Sequence, residues 1–256
     1  MKKLLKISAL LLCAAVMLGA LSACAGSSDA LQAVKKAGKL TIATSPDFPP
    51  FESLENGQVV GIEIDILQKV ADSLGVTLDI QQMDFESVIP GVQAGKFDVG
   101  VSGITVTEER KKNVDFTDPY FLAAQAIVVT PDSPITCKAD LTGKKISVQT
   151  ATTAEDYCMS EGYEVLAFTA NNDAAAALTT GKVDAWVVDN EVAVALATEQ
   201  GLVVLDEAMT SEPYAFAFHK GSDTLVSAVN EVVSQMLSDG SMEALFTKYG
   251  VAFKAP

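Results

Sequence analysis

The sequence predicts an α/β protein built as two doubly wound lobes of similar design. Three observations predict it. From about Leu40 onward, short apolar β-rich runs alternate with amphipathic stretches, the pattern of a parallel sheet covered by helices on both faces. The chain also echoes itself: "KLTIAT" (39–44) resembles "KKISVQT" (144–150), and "AGKFDVGVSG" (94–103) resembles "TGKVDAWVVD" (180–189). Finally, of 256 residues, 256 − 23 = 233 remain once a 23-residue leader is set aside, a length large for one domain and comfortable for two small ones.

Residues 1–23 read as an export leader. "MKKLLK" is a basic opening and "ISALLLCAAVMLGA" an apolar run too short for the usual membrane span, ending at small residues. "LSAC" (21–24) resembles a bacterial lipobox, which implies cleavage before Cys24 and lipid attachment to it. Residues 24–37, opening with the polar "AGSSDA", are expected to form an anchored tether and first turn.

In the body, "KLTIAT" reads as a strand. Ile62, Ile66, Lys69, Val70 and Leu74 fall near helical spacing, and Gly75 stops them. "VTLDI" is a strand. Phe85, Val88, Ile89 and Val92 follow at i, i+3, i+4 and i+7, and "FDVGV" is a strand again. After Tyr120 the strands are "AIVVT", "KISVQT", "YEVLAF", "VDAWVV" and "LVVLD". The echoes suit two lobes whose matched strands end at Gly103 and Asp189. Ligands of doubly wound sheets sit beyond the carboxyl ends of strands, so two such edges facing each other make one shared site.

Charge excludes some partners. The chain carries −15, and loss of Lys2, Lys3 and Lys6 with the leader takes it to −18. Such a body does not seek nucleic acid or anionic lipid through its field. Cys137 and Cys158, the cysteines left after leader and lipid site, are expected to form a disulfide in an oxidising compartment. A single histidine, His219, and two separated cysteines argue against a metal site. No cofactor is expected: "GKK" (143–145) lacks the upstream glycine of a phosphate loop.

Arg110 is the only arginine, against 17 lysines. A guanidinium differs from an ammonium by its planar fork, which meets a carboxylate with paired donors and stays charged. The preceding "SGITVT" supplies a glycine for close backbone approach and two hydroxyls, Thr105 and Thr107, the latter able to cap the short "EERKKN" helix. This describes a carboxylate receptor. A surface pairing of Arg110 with Glu108, Glu109 or Asp115 is the alternative.

Four stretches carry a resemblance: "ATSPDFPPFE" (43–52), "GIEIDI" (61–66), "MDFESVIPGVQAGKFDVGVSGITVTEERKKNVDFTDPY" (83–120) and "AFAFHKGSDTL" (215–225). Together they resemble the extracytoplasmic solute-binding proteins, family 3 type, of ABC importers for polar amino acids. The resemblance implies a fold of the type II periplasmic-binding-protein kind, in which two lobes close on a ligand by hinge motion. Residues 38–122 and 216–256 would form the first lobe and 123–215 the second, with crossings near Tyr120–Ala124 and Glu212–Phe216. By position, Arg110 would hold an α-carboxylate with Thr105 and the backbone near Thr152 and Thr153. Asp189 would take the α-ammonium with the Gly103 carbonyl. Phe48 and Phe85 would flank the side chain, with Ser45, Gln149 and Val188 facing it.

Ser45 stands where relatives that bind basic amino acids often have an acid, and Ala151 where a glycine is common. The resemblance implies an extracytoplasmic monomer, lipid-anchored to the bacterial cell membrane, that binds a polar or basic L-amino acid, with cystine-like ligands behind. It hands that ligand to an ABC permease. Two other readings stay open: a sensor acting through a partner chain, and a dehydratase-like enzyme using Glu52 or Glu86 as general acid.

Overall fold

A computed structural model describes residues 29–256, so the leader and Cys24 lie outside the described residues. The chain enters on α1 (Ala30–Ala37), within the stretch expected to hold the tether and first turn. Asp29 caps this helix by accepting from the Leu31 and Gln32 N–H groups, Val34 is buried, and Gly38 ends it in the left-handed conformation. The first lobe continues through β1 (Lys39–Thr44) and a small antiparallel sheet of β2 (Asp47–Phe48), β3 (Glu52–Glu55) and β4 (Gln58–Val60). Next come α2 (Ile62–Leu74), β5 (Thr77–Gln82), α3 (Phe85–Gln93), β6 (Val99–Gly100), the four-residue α4 (Glu108–Lys111) and β7 (Val114–Phe116).

β8 (Phe121–Ala123) leads into the second lobe, which holds β9 (Gln125–Val129), a 3-10 turn at Lys138–Leu141, β10 (Lys145–Gln149) and α5 (Thr153–Ser160). It continues with β11 (Glu164–Phe168), α6 (Asn171–Thr179), β12 (Ala185–Asp189), α7 (Asn190–Gln200) and β13 (Val203–Val204). β14 (Glu212–Tyr214) returns to β15 (Ala217–His219), and α8 (Asp223–Ser238) and α9 (Ser241–Lys248) follow.

The two five-stranded sheets have the same plan, β5-β1-β6-β15-β7 and β11-β10-β12-β9-β13. The echoed segments take matching places: β1 with β10, and β6 with β12. Three strands of each sheet pair in parallel, as the alternation predicts, but β15 and β9 run antiparallel to their neighbours. Each of these two follows directly on a crossing strand, so it enters its sheet from the opposite end. The crossing strands pair with each other, Phe121 opposite Tyr214 and Ala123 opposite Glu212. Phe51, Phe246 and Phe253 pack around that ribbon, with the rings of Phe121 and Phe246 stacked at 4.7 Å.

Burial on both faces shows along β12. Trp186 and Val188 join the large core, while Ala185 and Val187 point into a separate cluster with Ile127, Ile146 and Val148. Val188, expected to face the ligand, is therefore core. The expected disulfide is corrected: Cys137 and Cys158 are both free. Cys137 turns its thiol toward Asp140 at the start of the 3-10 turn, 3.7 Å away, while Cys158 lies in apolar core, where burial pushes its thiol up to about 12. No helix among the described residues is long and apolar enough to cross a membrane.

Candidate ligand-binding site

The carboxyl ends of β6 and β12 and the N-terminus of α5 meet at a narrow cavity between the lobes. From the first lobe Phe48, Phe85, Gly103, Thr105 and Arg110 line it, and from the second Gln149, Thr152, Thr153 and Asp189. The structure thus brings nine of the ten predicted residues together. Ser45 stands behind the wall, its hydroxyl donating to Asp47 at 2.9 Å. Ser102, which sequence reasoning missed, completes the lining.

Arg110 is oriented without being neutralised. Thr107 caps α4 by accepting from the Arg110 N–H at 3.1 Å. The guanidinium then donates to two carbonyls, Nη1 to Thr105 at 3.0 Å and Nη2 to Ala151 at 3.1 Å, and its carbon lies 5.6 Å from the centre of the Phe85 ring. None of the ion pairs among the described residues involves it, so the surface pairing with Glu108, Glu109 or Asp115 is not formed. Those acids do other work: Glu108 pairs with Lys111, Glu109 with Lys112 and Asp115 with Lys220. Burial holds the guanidinium below its ordinary pKa, opposed by Asp156, Glu212 and Asp189, and it stays charged.

Asp189 supplies the opposite charge. It stands at the N-cap position of α7 but makes no capping bond. Its carboxylate instead accepts from Gln125 Nε2 at 3.2 Å, and Gln125 also reaches Thr153. Burial first, then repulsion from Glu212, pushes its pKa up to about 7. Gln125 was legible only as a polar residue opening the apolar run "QAIVV", with no motif to mark it.

The second lobe presents its polar groups through α5. Thr152 caps the helix by accepting from Glu155 N–H, and the Glu155 carboxylate takes the Ala151 N–H at 2.7 Å. This pins Ala151 in a left-handed conformation, φ 63°, with its carbonyl toward Arg110. On the first lobe, Gly103 has φ 52°, and a Cβ there would lie 2.3 Å from the Phe48 ring. Only glycine lets the strand end lie flat against that ring.

A second contact joins the lobes beside Ser45. Asp47 accepts from Gln149 Nε2 at 3.2 Å and from the Asn171 N–H, the start of α6, at 2.8 Å. Burial raises the Asp47 pKa. His219, the last residue of β15, is exposed and does not line the cavity, and no metal-ligating cluster occurs among the described residues. Glu52 is buried behind the cavity and Glu86 lies exposed outside it, so neither acid of the dehydratase reading faces the site.

Residues 40–252 match the family model described as bacterial extracellular solute-binding proteins, family 3. The arginine-binding extracellular protein ArtP of Bacillus subtilis (strain 168) is 33% identical over 94% of this chain and 96% of its own. The ABC transporter glutamine-binding protein GlnH of the same organism is 30% identical over 97% of each. Among solved structures, an arginine-bound, truncated form of ArgBP from T. maritima superposes with a TM-score of 0.78 at 39% identity, covering 80% of this chain and 99% of that one. These relatives are binding proteins by name, and the solved one shares the two-lobed architecture. The chain belongs to the bacterial extracellular solute-binding proteins, family 3.

Proposed function

We propose that this protein binds one free L-α-amino acid between its lobes and delivers it to an ABC-type permease. One observation carries the reading: a guanidinium without an anionic partner and a buried carboxylate without a cationic one face the same small cavity. An amino acid zwitterion supplies both missing charges, and a zwitterion so matched can be taken out of water at acceptable cost. Arg110 holds the α-carboxylate, and Asp189 with the Gly103 carbonyl holds the α-ammonium. Phe48 and Phe85 flank the side chain. Binding begins on the first lobe, and the second closes because the ligand contacts the closed form better than the open one.

The side chain is polar or basic. Asp47, half-hidden beside Gln149 and without a cation, supports a basic one despite the neutral Ser45. The arginine-binding and glutamine-binding relatives support both polar options. The pairing of β8 with β14 supports hinges near Tyr120–Ala124 and Glu212–Phe216, with lobes at 38–122 plus 216–256 and at 123–215. "LSAC" supports a protein held to the membrane by lipid on Cys24.

Thermal unfolding of the soluble protein against the common L-amino acids, after removal of carried-over ligand, tests this. A ligand at about 100 times its Kd stabilises by about 2.7 kcal/mol, on the order of 5–10 °C here. A shift with one or a few amino acids is expected, and no shift with any overturns the reading.

A further inference from the structure

We propose that Glu52 and Glu63 share one proton beneath the cavity, and that this dyad, through Glu63, fixes the Gly103 backbone on which the ligand rests. Both side chains are fully buried. Glu63, in the first turn of α2, accepts the Gly103 N–H at 2.9 Å on one oxygen and the Tyr120 hydroxyl on the other. Glu52, opening β3, has two buried oxygens without a donor.

An ionised Glu52 would be a second buried charge beside the Glu63 carboxylate, with neither oxygen partnered as placed and no ion pair among the described residues reaching either acid. Two like charges packed together away from water do not both persist. A proton on Glu52 removes the like-charge repulsion and turns one of its two unpartnered oxygens into a donor, with Glu63 as acceptor. The charged groups facing Glu52 are both acids. Glu63 comes from α2, Asp47 from β2, and the uncharged Ser102 and Tyr120 hydroxyls from the chain after β6 and before β8. Burial first, then Glu63, raises Glu52 well above the ordinary carboxyl range.

The dyad has a mechanical consequence. Gly103 is wedged between the Phe48 ring on one side and the Glu63 carboxylate on the other. Glu63 thereby holds the Ser102–Gly103 peptide in place, the unit directly before the Gly103 carbonyl of the ammonium subsite. That consequence rests on the proposed amino acid function, whereas the shared proton does not.

The test is urea unfolding of ligand-free wild type and Glu52→Gln between pH 5.5 and 7.5. Native Glu52 keeps a proton that the unfolded chain gives up near the ordinary glutamate pKa, so rising pH favours unfolding. Relative to Glu52→Gln, the wild-type unfolding constant should grow about tenfold per pH unit. Asp189 and the other acids titrate in both proteins and cancel. Identical pH dependence overturns the shared proton. So does a wild-type infrared spectrum at pH 7, with carbon-labelled glutamate, that lacks the protonated-carboxyl band.

For the positioning role, Glu52→Leu should weaken amino acid binding by about tenfold or more, and Glu52→Gln, which keeps a donor to Glu63, should recover most of that loss. Equal losses in the two variants overturn the positioning role. If wild type binds no amino acid, the proposed function fails while the unfolding and infrared results still decide the dyad.

Discussion

Arg110 of the first lobe donates to the carbonyl of Ala151 in the second at 3.1 Å, while its other terminal nitrogen holds the Thr105 carbonyl at 3.0 Å. One side chain therefore spans the cleft and still has donors left for a ligand, since a guanidinium carries five N–H groups in a plane. A lysine with three donors on one nitrogen could not grip both carbonyls in this geometry and meet a carboxylate side-on. That is a structural reason for the chain's single arginine.

Arg110→Lys should accordingly bind amino acid more weakly by about 1–3 kcal/mol, the scale of lost charge-assisted hydrogen bonds. This is about a 5–150-fold rise in Kd, read by calorimetry. Unchanged affinity removes Arg110 from the site.

Asp189 makes affinity depend on pH. In the free protein its carboxyl titrates at about 7, and only the ionised form pairs with an ammonium. Affinity should therefore fall as pH drops below about 7, by up to about tenfold per unit. Ligand-free stability has the opposite sense. The native state keeps the Asp189 proton that the unfolded chain releases near 3.8, so this group's contribution is full below 3.8 and lost as pH rises to about 7. Calorimetry at pH 5.5 and 7.5 with glutamine or arginine checks the first point, and Asp189→Asn should bind weakly with a flat profile.

Gly103→Ala sets a methyl group where the Phe48 ring already lies, at a positive φ that alanine resists. Overpacking of this kind costs about 1–3 kcal/mol. Urea unfolding should show that loss, and affinity should drop with it because the same displacement moves the cavity floor.

Ala151→Gly should act in the other direction. Alanine at φ 63° carries about 1–2 kcal/mol of strain, and glycine returns about 0.4–1 kcal/mol of that through its freer unfolded chain. A net gain of up to about 1.5 kcal/mol in urea unfolding is expected. A loss would mean that the Ala151 methyl makes packing contacts worth more than the strain.

Much of this was legible because the chain repeats itself. Asp98 and Asp184, the aspartates of "GKFD" and "GKVD", do the same work: each takes a backbone N–H of the neighbouring strand, Thr41 or Lys145, at 2.8 Å. The echo thus marked equivalent corners of two sheets. Arg110 announced itself by being unlike every other basic residue. What stayed hidden depended on contacts between distant segments. Glu63 meets Gly103 across 40 residues, Gln125 meets Asp189 across 64, and Asp47 meets Asn171 across 124. Local spacing carries no trace of such pairs. The antiparallel β9 and β15 were invisible for a related reason, because strand direction follows from where the chain crosses between lobes.

On the proposed function, Arg110 and Asp189 together clamp both ends of an amino acid zwitterion. Calorimetry should compare the best L-amino acid with two analogues, one lacking the α-carboxylate and one acetylated on the α-nitrogen. The clamp predicts that each analogue binds at least about 100-fold more weakly, because each leaves one buried charge without its partner. An analogue that binds as tightly as the parent would contradict it.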